Sequence, residues 1–223
     1  MSDIVIYMNQ ICTREYLNRH LEPRLVPIGE AWQRQRERDQ VMILIDQGID
    51  FAISFAIRID DERSVIVTYA LLENEIHMTV NELWDFYIDS EPYGIVLAPL
   101  DKTVEGWLDG DEYAVQNHLL EKSDAMICTN EYYHQGAACF FHPSTQRKLW
   151  EFFPGGFYVL FSSRHETIIV NKNLMSAEAV NMTFQDANTN ADVTPVEDRV
   201  THYIYQMTKP FRLERMVIEN DAQ

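Results

Sequence analysis

The chain has 223 residues, 46% hydrophobic and 24% charged, with a formal net charge of -17. That length holds one large domain or two small ones with a real core, and no apolar run approaches the roughly 20 residues that span a bilayer. The charge is unevenly placed: residues 1–38 hold six Arg against five acids, while residues 46–124 hold 18 acids against four basic residues, a net of -14. Such a section repels a phosphate backbone, which argues against direct DNA or RNA binding across it.

The N-terminus MSDIVIYMNQICTREYL lacks the basic and apolar regions of a signal peptide. Cys12, Cys128 and Cys139 are too few, and odd in number, for a disulfide framework, so a reducing cytoplasm is the expected compartment. Residues 10–22 read as a helix, with Leu17 and Leu21 at i,i+4 and Pro23 ending the run. GEAWQRQRERDQ reads as a short exposed helix with a Glu30–Arg34 pair and Trp32 as its only apolar anchor. VMILI at 41–45 is a strand that turns through Gly48. Ile49, Phe51, Ile53, Phe55, Ile57 and Ile59 then alternate with smaller or polar residues, which predicts a strand with one greasy face. After Asp60–Arg63, Val65, Val67 and Tyr69 alternate again, completing a three-stranded antiparallel meander.

Thr79 and Glu82 form a capping box ahead of Val80, Leu83, Trp84 and Tyr87, an amphipathic helix able to cover that sheet. Pro92, Gly94 and Pro99 break the pattern. DKTVEGWLDGDE (101–112) is expected to be a loop, followed by a second short helix at about 112–121. Ala125–Thr129 is a strand, Asn130–Gly136 a turn, and Gly136–Phe141 a buried strand. His142-Pro143-Ser144 opens a helix with Gln146, Leu149, Trp150 and Phe153 on one face, stopped by Pro154-Gly155-Gly156. Strands at Phe157–Phe161 and His165–Val170 follow, then a helix from about Leu174 to Ala187 and a last strand at Val200–Met207. The final ENDAQ is expected to fray.

The second half carries a spaced set of residues: Thr129-Asn130, Gly136-Ala137-Ala138, Pro143, Leu160, Ser162-Ser163, His165-Glu166, then Asn188, Pro195 and Tyr203. Over residues 125–208 this resembles the TN…GAA…P…L.SS.HE signature of an uncharacterised domain-of-unknown-function family found in gut anaerobes and their mobile elements. The chain departs from it at Phe161, where the pattern has Pro. The resemblance implies a shared α+β domain and supplies no activity, substrate or catalytic residue.

Ser162, Ser163, His165 and Glu166 are the candidate catalytic cluster for a small hydrolase, with a serine nucleophile, His165 as base and Glu166 as its orienter. Successive strand residues point to opposite faces, so a strand at 165–166 separates acid from base, and no G-x-S-x-G elbow is present. Cys128, His134, Cys139 and His142 fall within 15 residues and are the candidate metal ligands, but they match no C-x-x-C or H-E-x-x-H spacing and read better as packing residues. No phosphate-loop motif occurs, and no cofactor is expected.

The fold is expected to be α+β: an N-terminal helix and antiparallel meander with a covering helix, then a mixed β-β-α-β-β-α-β unit. Its expected segments are a helical arm (1–40), an acidic region (41–122) and the family-like part (123–223). The leading functional expectation is a non-enzymatic binding or regulatory protein that engages a basic protein partner, neither nucleic acid nor membrane. Its interface residues are Asp101, Glu105, Trp107, Asp109, Asp111, Glu112, Tyr132 and Tyr133, since aromatics among acids suit a protein interface. The alternatives are the hydrolase and a structural subunit of an oligomer.

Overall fold

In the computed structural model, which describes residues 8, 10–45, 48–60, 63–91, 94–111, 118–190 and 194–217, the chain divides into two compact units. Residues 1–46 and 50–93 form one, and 47–49 with 94–223 the other. Both are built of helices and antiparallel sheet, the α+β class expected.

In the first unit, Thr13 caps helix α1 (Arg14–His20) by accepting from the Tyr16 backbone N–H at 3.3 Å. The helix is shorter than expected because Leu21–Pro27 is strand β1. Pro23 and Pro27 hid it; β1 lies at a sheet edge, where a missing N–H is tolerated. Helix α2 (Ile28–Arg38) carries the Glu30–Arg34 pair at 2.6 Å. Its anchor is Ala31, packed with Val26 and Ala52, whereas Trp32 is 51% exposed.

Strands β2 (Ile43–Leu44), β3 (Phe51–Arg58) and β4 (Ser64–Ile66) follow. Strand β1 pairs with β3 from Leu21↔Ile57 to Pro27↔Phe51, occupying one whole edge. Strands β2 and β4 therefore share the other edge, pairing at Ala52–Ile53 and Ala56–Arg58. The expected meander thus becomes a four-stranded sheet centred on β3, which is buried on both faces. The small face, Ala52, Ser54 and Ala56, lets α2 approach closely. At its end Arg58 is buried because Glu22 accepts from its Nε, while Arg24 lies 3.5 Å from the same carboxylate and donates to Ser64 Oγ at 2.7 Å.

A helical turn at Tyr69–Leu71 runs into a π-helix at Leu72–Ile76. The Thr79–Glu82 capping box then starts α3 (Val80–Asp89): Thr79 N–H donates to Glu82 Oε2 at 2.7 Å and Glu82 N–H to Thr79 Oγ1 at 3.2 Å. The Thr79 N–H and then the Thr79 hydroxyl, both donating to Glu82 Oε2, hold that carboxyl below its usual range. Trp84 and Tyr87 meet Phe55 edge-on at 6.3 and 5.6 Å, so α3 covers the large face of β3.

The second unit begins with strand β5 (Ile95–Pro99) and helix α4 (Leu100–Leu108). The helix replaces the loop expected at 101–112. Thr103 donates to the Pro99 carbonyl at 2.7 Å and is fully buried, and Leu100 packs on Val96, Ala98 and Ile127. Most of the helix expected at 112–121 lies outside the described residues; 118–120 is a turn. Strand β6 (Ala125–Asn130) precedes a 3-10 helix at Ala137–Phe141, where a strand was expected. A short run that is apolar at every position carries no period to separate the two forms.

Helix α5 (Pro143–Phe152) is capped by His142, whose Nδ1 accepts from the Ser144 N–H at 3.2 Å. Strands β7 (Phe157–Leu160) and β8 (Thr167–Asn171) follow, so His165 and Glu166 lie in the connecting loop and not in a strand. Gly156 turns the chain into β7 with φ +94°, and a Cβ there would meet the Met207 carbonyl at 2.5 Å. Ser176 caps α6 (Ala177–Thr189), leaving Leu174 before the helix. A 3-10 turn at Val196–Asp198 leads to β9 (Ile204–Lys209) and to β10 (Arg212–Arg215), which no expectation covered; ENDAQ lies outside the described residues.

These strands form one antiparallel sheet in the order β10-β9-β7-β8-β6-β5. Helix α6 seals one face through Val180 and Phe184 against Tyr158, Leu160, Val170 and Ile204. The other holds aromatic pairs, including Trp150–Phe157 at 6.1 Å and Phe161–Tyr205 at 5.7 Å.

Phe55 is fully buried between sheet and α3, so Phe55→Ala is expected to destabilise the first unit by about 3–5 kcal/mol. Trp32→Ala is expected to change stability by about 0.5 kcal/mol or less. Urea unfolding of both variants measures the contrast, and equal losses would restore Trp32 as an anchor.

Candidate functional site

The spaced residues of the second half converge on the loop between β7 and β8. The His165 carbonyl accepts from Thr129 Oγ1 at 2.7 Å and from the Gly136 N–H at 3.0 Å. The Ala137 N–H donates to the Arg164 carbonyl at 3.2 Å, and Thr167 Oγ1 donates to the Ala137 carbonyl at 2.8 Å. Gly136 must be glycine here: a Cβ would lie 2.5 Å from Thr129 Oγ1 and would strike the Asn130 backbone. Asn130 shapes the intervening turn, its Oδ1 accepting from the N–H groups of Tyr132 and His134 at 3.2 Å each. From the other side, Arg164 N–H donates to the Asp198 carbonyl at 2.8 Å, and Ser163 bridges Arg199.

Five polar side chains meet inside this clasp: Ser163, Arg164, His165, Glu166 and Asp198. His165 Nδ1 accepts from the Gln135 N–H at 3.2 Å, so Nε2 carries the ring hydrogen and faces Asp198 Oδ1 at 3.2 Å. Arg164 lies 3.5 Å from that same oxygen and donates to the Glu197 carbonyl. The buried Ser163 hydroxyl accepts from the His165 backbone N–H at 2.9 Å and bonds the Glu166 carboxyl. Burial pushes that carboxyl above its ordinary range; His165 and the Ser163 hydrogen bond oppose the shift, and Asp198 reinforces it.

The loop position removes the strand-geometry objection to a Ser163–His165–Glu166 relay. A different geometry takes its place. Ser163 addresses the backbone of His165, and both ring nitrogens are engaged elsewhere. Ser162 is also buried. Sequence spacing did not point to Asp198, Arg164 or Gln135, because 33 residues separate His165 from Asp198 and nothing periodic links them.

The candidate metal ligands divide into three places. Cys128 on β6 and Cys139 on the 3-10 helix are both buried and interact, and burial raises the Cys128 thiol well above its usual range. His134 lies beside His165, rings 5.0 Å apart. His142 caps α5. Among the described residues, no group of three or more His, Cys, Asp or Glu side chains is placed to hold a metal ion.

The expected interface residues divide between the two ends of the β5–β6 pair: α4 follows Pro99, paired with Met126, and the tyrosine turn follows Asn130, paired with Ile95. Asp101, Glu105 and Asp109 are exposed on or just beyond α4, with Val104 40% and Leu108 83% exposed between them. Asp101 accepts from Ser123 Oγ at 3.2 Å, and Lys102 ties α4 to Glu121 at 2.5 Å. Tyr133 packs on the Val96, Ala98 and Ile127 cluster that also receives Leu100; Tyr132 is exposed beside it. Asp111 is half-buried. Glu112 and the Trp107 side chain lie outside the described residues.

Fold and clasp together define an α+β protein whose signature residues fasten one loop of an antiparallel sheet. The chain belongs to DUF5688, a family of unknown function, whose sequence model matches residues 39–209. The match reaches well upstream of residue 125, into β2, β3, β4 and α3 of the first unit. Neither a curated protein nor a solved structure matches the chain.

Gly136→Ala is expected to destabilise the second unit by about 1–3 kcal/mol, because its new methyl group displaces backbone on two sides. For Glu166, the folded carboxyl binds its proton at higher pH than the unfolded one, so stability falls as pH rises through that window. Glu166→Gln keeps an acceptor for Ser163 without the charge. Its Tm should exceed the parent's at neutral pH, with the gap closing below about pH 4. A gap independent of pH would remove burial of the charge as its cause.

Proposed function

We propose that this protein is a non-enzymatic binding or regulatory protein that engages a basic protein partner through the acidic face of α4. The observation that supports it is the pairing of exposed apolar side chains with acids on one short helix: Val104 and Leu108, a turn apart, lie among Asp101, Glu105 and Asp109. Apolar anchors ringed by charge are the composition of a docking surface, and the ring selects a partner of opposite sign. The engagement of both His165 nitrogens favours binding over hydrolysis. A nucleic-acid-binding protein of a bacterial host is the partner class whose charge fits best, with inhibition of it, by a phage or mobile-element product, as the outcome. Three free thiols suit a reducing compartment, the cytoplasm.

Replacing Asp101, Glu105, Asp109 and Asp111 by Lys is expected to abolish capture of a basic partner from the native host, while circular dichroism stays unchanged. His165→Ala is expected to leave capture intact. Retention of the partner by the charge-reversed protein would sink the acidic-dock reading.

A further inference from the structure

At the far edge of the same six-stranded sheet, α5 and the β9–β10 turn enclose an open cleft of about 310 Å³. Trp150, Pro210 and Phe211 line it, with Gln146, Arg147 and Glu151 at its rim. Arg147 and Glu151 balance within its lining, and Lys148 and Lys209 next to it in sequence give the surroundings positive charge, opposite to that of the chain as a whole. Glu151 is taken by Lys148 at 2.9 Å, whereas exposed Arg147 has no hydrogen-bond or ion partner among the described residues. Exposed Lys209 directly precedes Pro210.

Phe211 adds a second, independent observation. It holds φ +58° and is 56% exposed. Proline followed by a residue of positive φ is a turn that normally places glycine or asparagine second. A phenylalanine there strains the backbone and adds little to the core, and such strain collects at clamps for ligands.

The surface that complements this cleft is already present on the chain. Leu108 is an exposed knob with Glu105 and Asp109 beside it, at the β5 edge; the cleft is an apolar socket with Arg147 and Lys209 beside it, at the β10 edge. We propose that the cleft receives α4 of a second copy of this chain, Leu108 seated between Trp150 and Phe211 and the helix acids facing Arg147 and Lys209. The inference rests on the reading of α4 as a docking helix and names a partner for it. Knob and socket are different surfaces, so the contact is heterologous: each copy offers one of each, and a dimer leaves one of each unused.

Sedimentation equilibrium tests this. The wild type should rise above monomer mass with concentration. Leu108→Asp, lacking the knob, and Arg147→Glu, lacking the socket charge, should each raise the apparent Kd at least about tenfold, as loss of one anchor does. Mixed in equal amounts, the two should recover a dimer and stop there, because each keeps the half the other lost. Phe211→Gly, which relaxes the turn, should also weaken association, and a melting temperature equal to or above the wild type's guards against misfolding. A wild type that stays monomeric at all concentrations overturns the proposal. So does association that survives both variants, or a mixture that stays monomeric. If the wild type captures a basic host protein yet never self-associates, the acidic dock stands and this inference alone falls.

Discussion

The His165 carbonyl oxygen accepts hydrogen bonds from both ends of one turn that lies far before it in sequence. Thr129 Oγ1 reaches it from the end of β6, and the Gly136 N–H reaches it from the start of the 3-10 helix. One acceptor thereby fixes the β7–β8 loop against both ends of the tyrosine-bearing turn. The geometry closes only without a side chain at 136, since a Cβ there would occupy the space of Thr129 and the Asn130 backbone. Around this point, Ala137 and Thr167 close a second bridge, and Asp198 holds the outer side through Arg164 and His165. A buried loop must satisfy its own polar groups, and each bond in this clasp does so. The placement of the 3-10 helix follows from it, and that helix carries Phe140 and Phe141 into the aromatic layer under Phe161.

The sheet fastened in this way has two edges, and they are protected by different means. At β5 the chain covers its own edge, the Leu120 N–H donating to the Leu97 carbonyl at 2.8 Å. At β10 the protection is charge: Arg212, Glu214 and Arg215 sit in a four-residue strand, with Arg212 paired to Glu214 at 2.7 Å and Arg215 lying over the Tyr203 ring. Short, charged edges resist strand addition by other chains. What the two edges leave open is side-chain surface, acidic with an apolar knob at one end and basic with an apolar socket at the other. The -14 of residues 46–124 is therefore a regional property, and the chain's second half restores local positive charge at the α5 cleft.

Several elements were legible because one residue pattern had one physical meaning. Thr79 three residues before Glu82, ahead of Leu83 and Tyr87, forms the capping box and helix that it encodes. Alternation at Phe51–Ile57 is a strand, and the pair of Pro143 and His142 opens a helix. Elements failed to read where two meanings competed. Two prolines in LEPRLVP imitate a break, yet an edge strand tolerates them. Gly106 and the aspartates around it imitate a loop, yet Leu100 and Thr103 anchor one side of α4. The AACFF run is apolar throughout, so nothing distinguished strand from 3-10 turn. The burial of both faces of β3 was hidden for a related reason: Ala52, Ser54 and Ala56 read as a solvent face when their role is to admit α2.

The candidate site divides along the same line. The spacing of Thr129, Gly136, Ser163 and His165 pointed to a family of unknown function, and the clasp gives those residues a shared physical role. Serine and histidine side by side suggest a nucleophile and its base, but a base needs a ring nitrogen with a free lone pair facing the hydroxyl. In His165 the lone pair of Nδ1 is directed at the Gln135 N–H, and the hydrogen of Nε2 at Asp198. Ser163 is turned toward backbone and the Glu166 carboxyl. Releasing the imidazole for chemistry would mean opening the turn at Gln135, which the Asn130 bonds to Tyr132 and His134 hold shut. The polar groups of Thr129, Asn130, Ser163 and His165 are thus engaged in holding the loop and its neighbouring turn. Among the described residues, Glu105 and Asp109 stand exposed beside Leu108 at one sheet edge, and exposed Arg147 lines the cleft with Trp150 at the other.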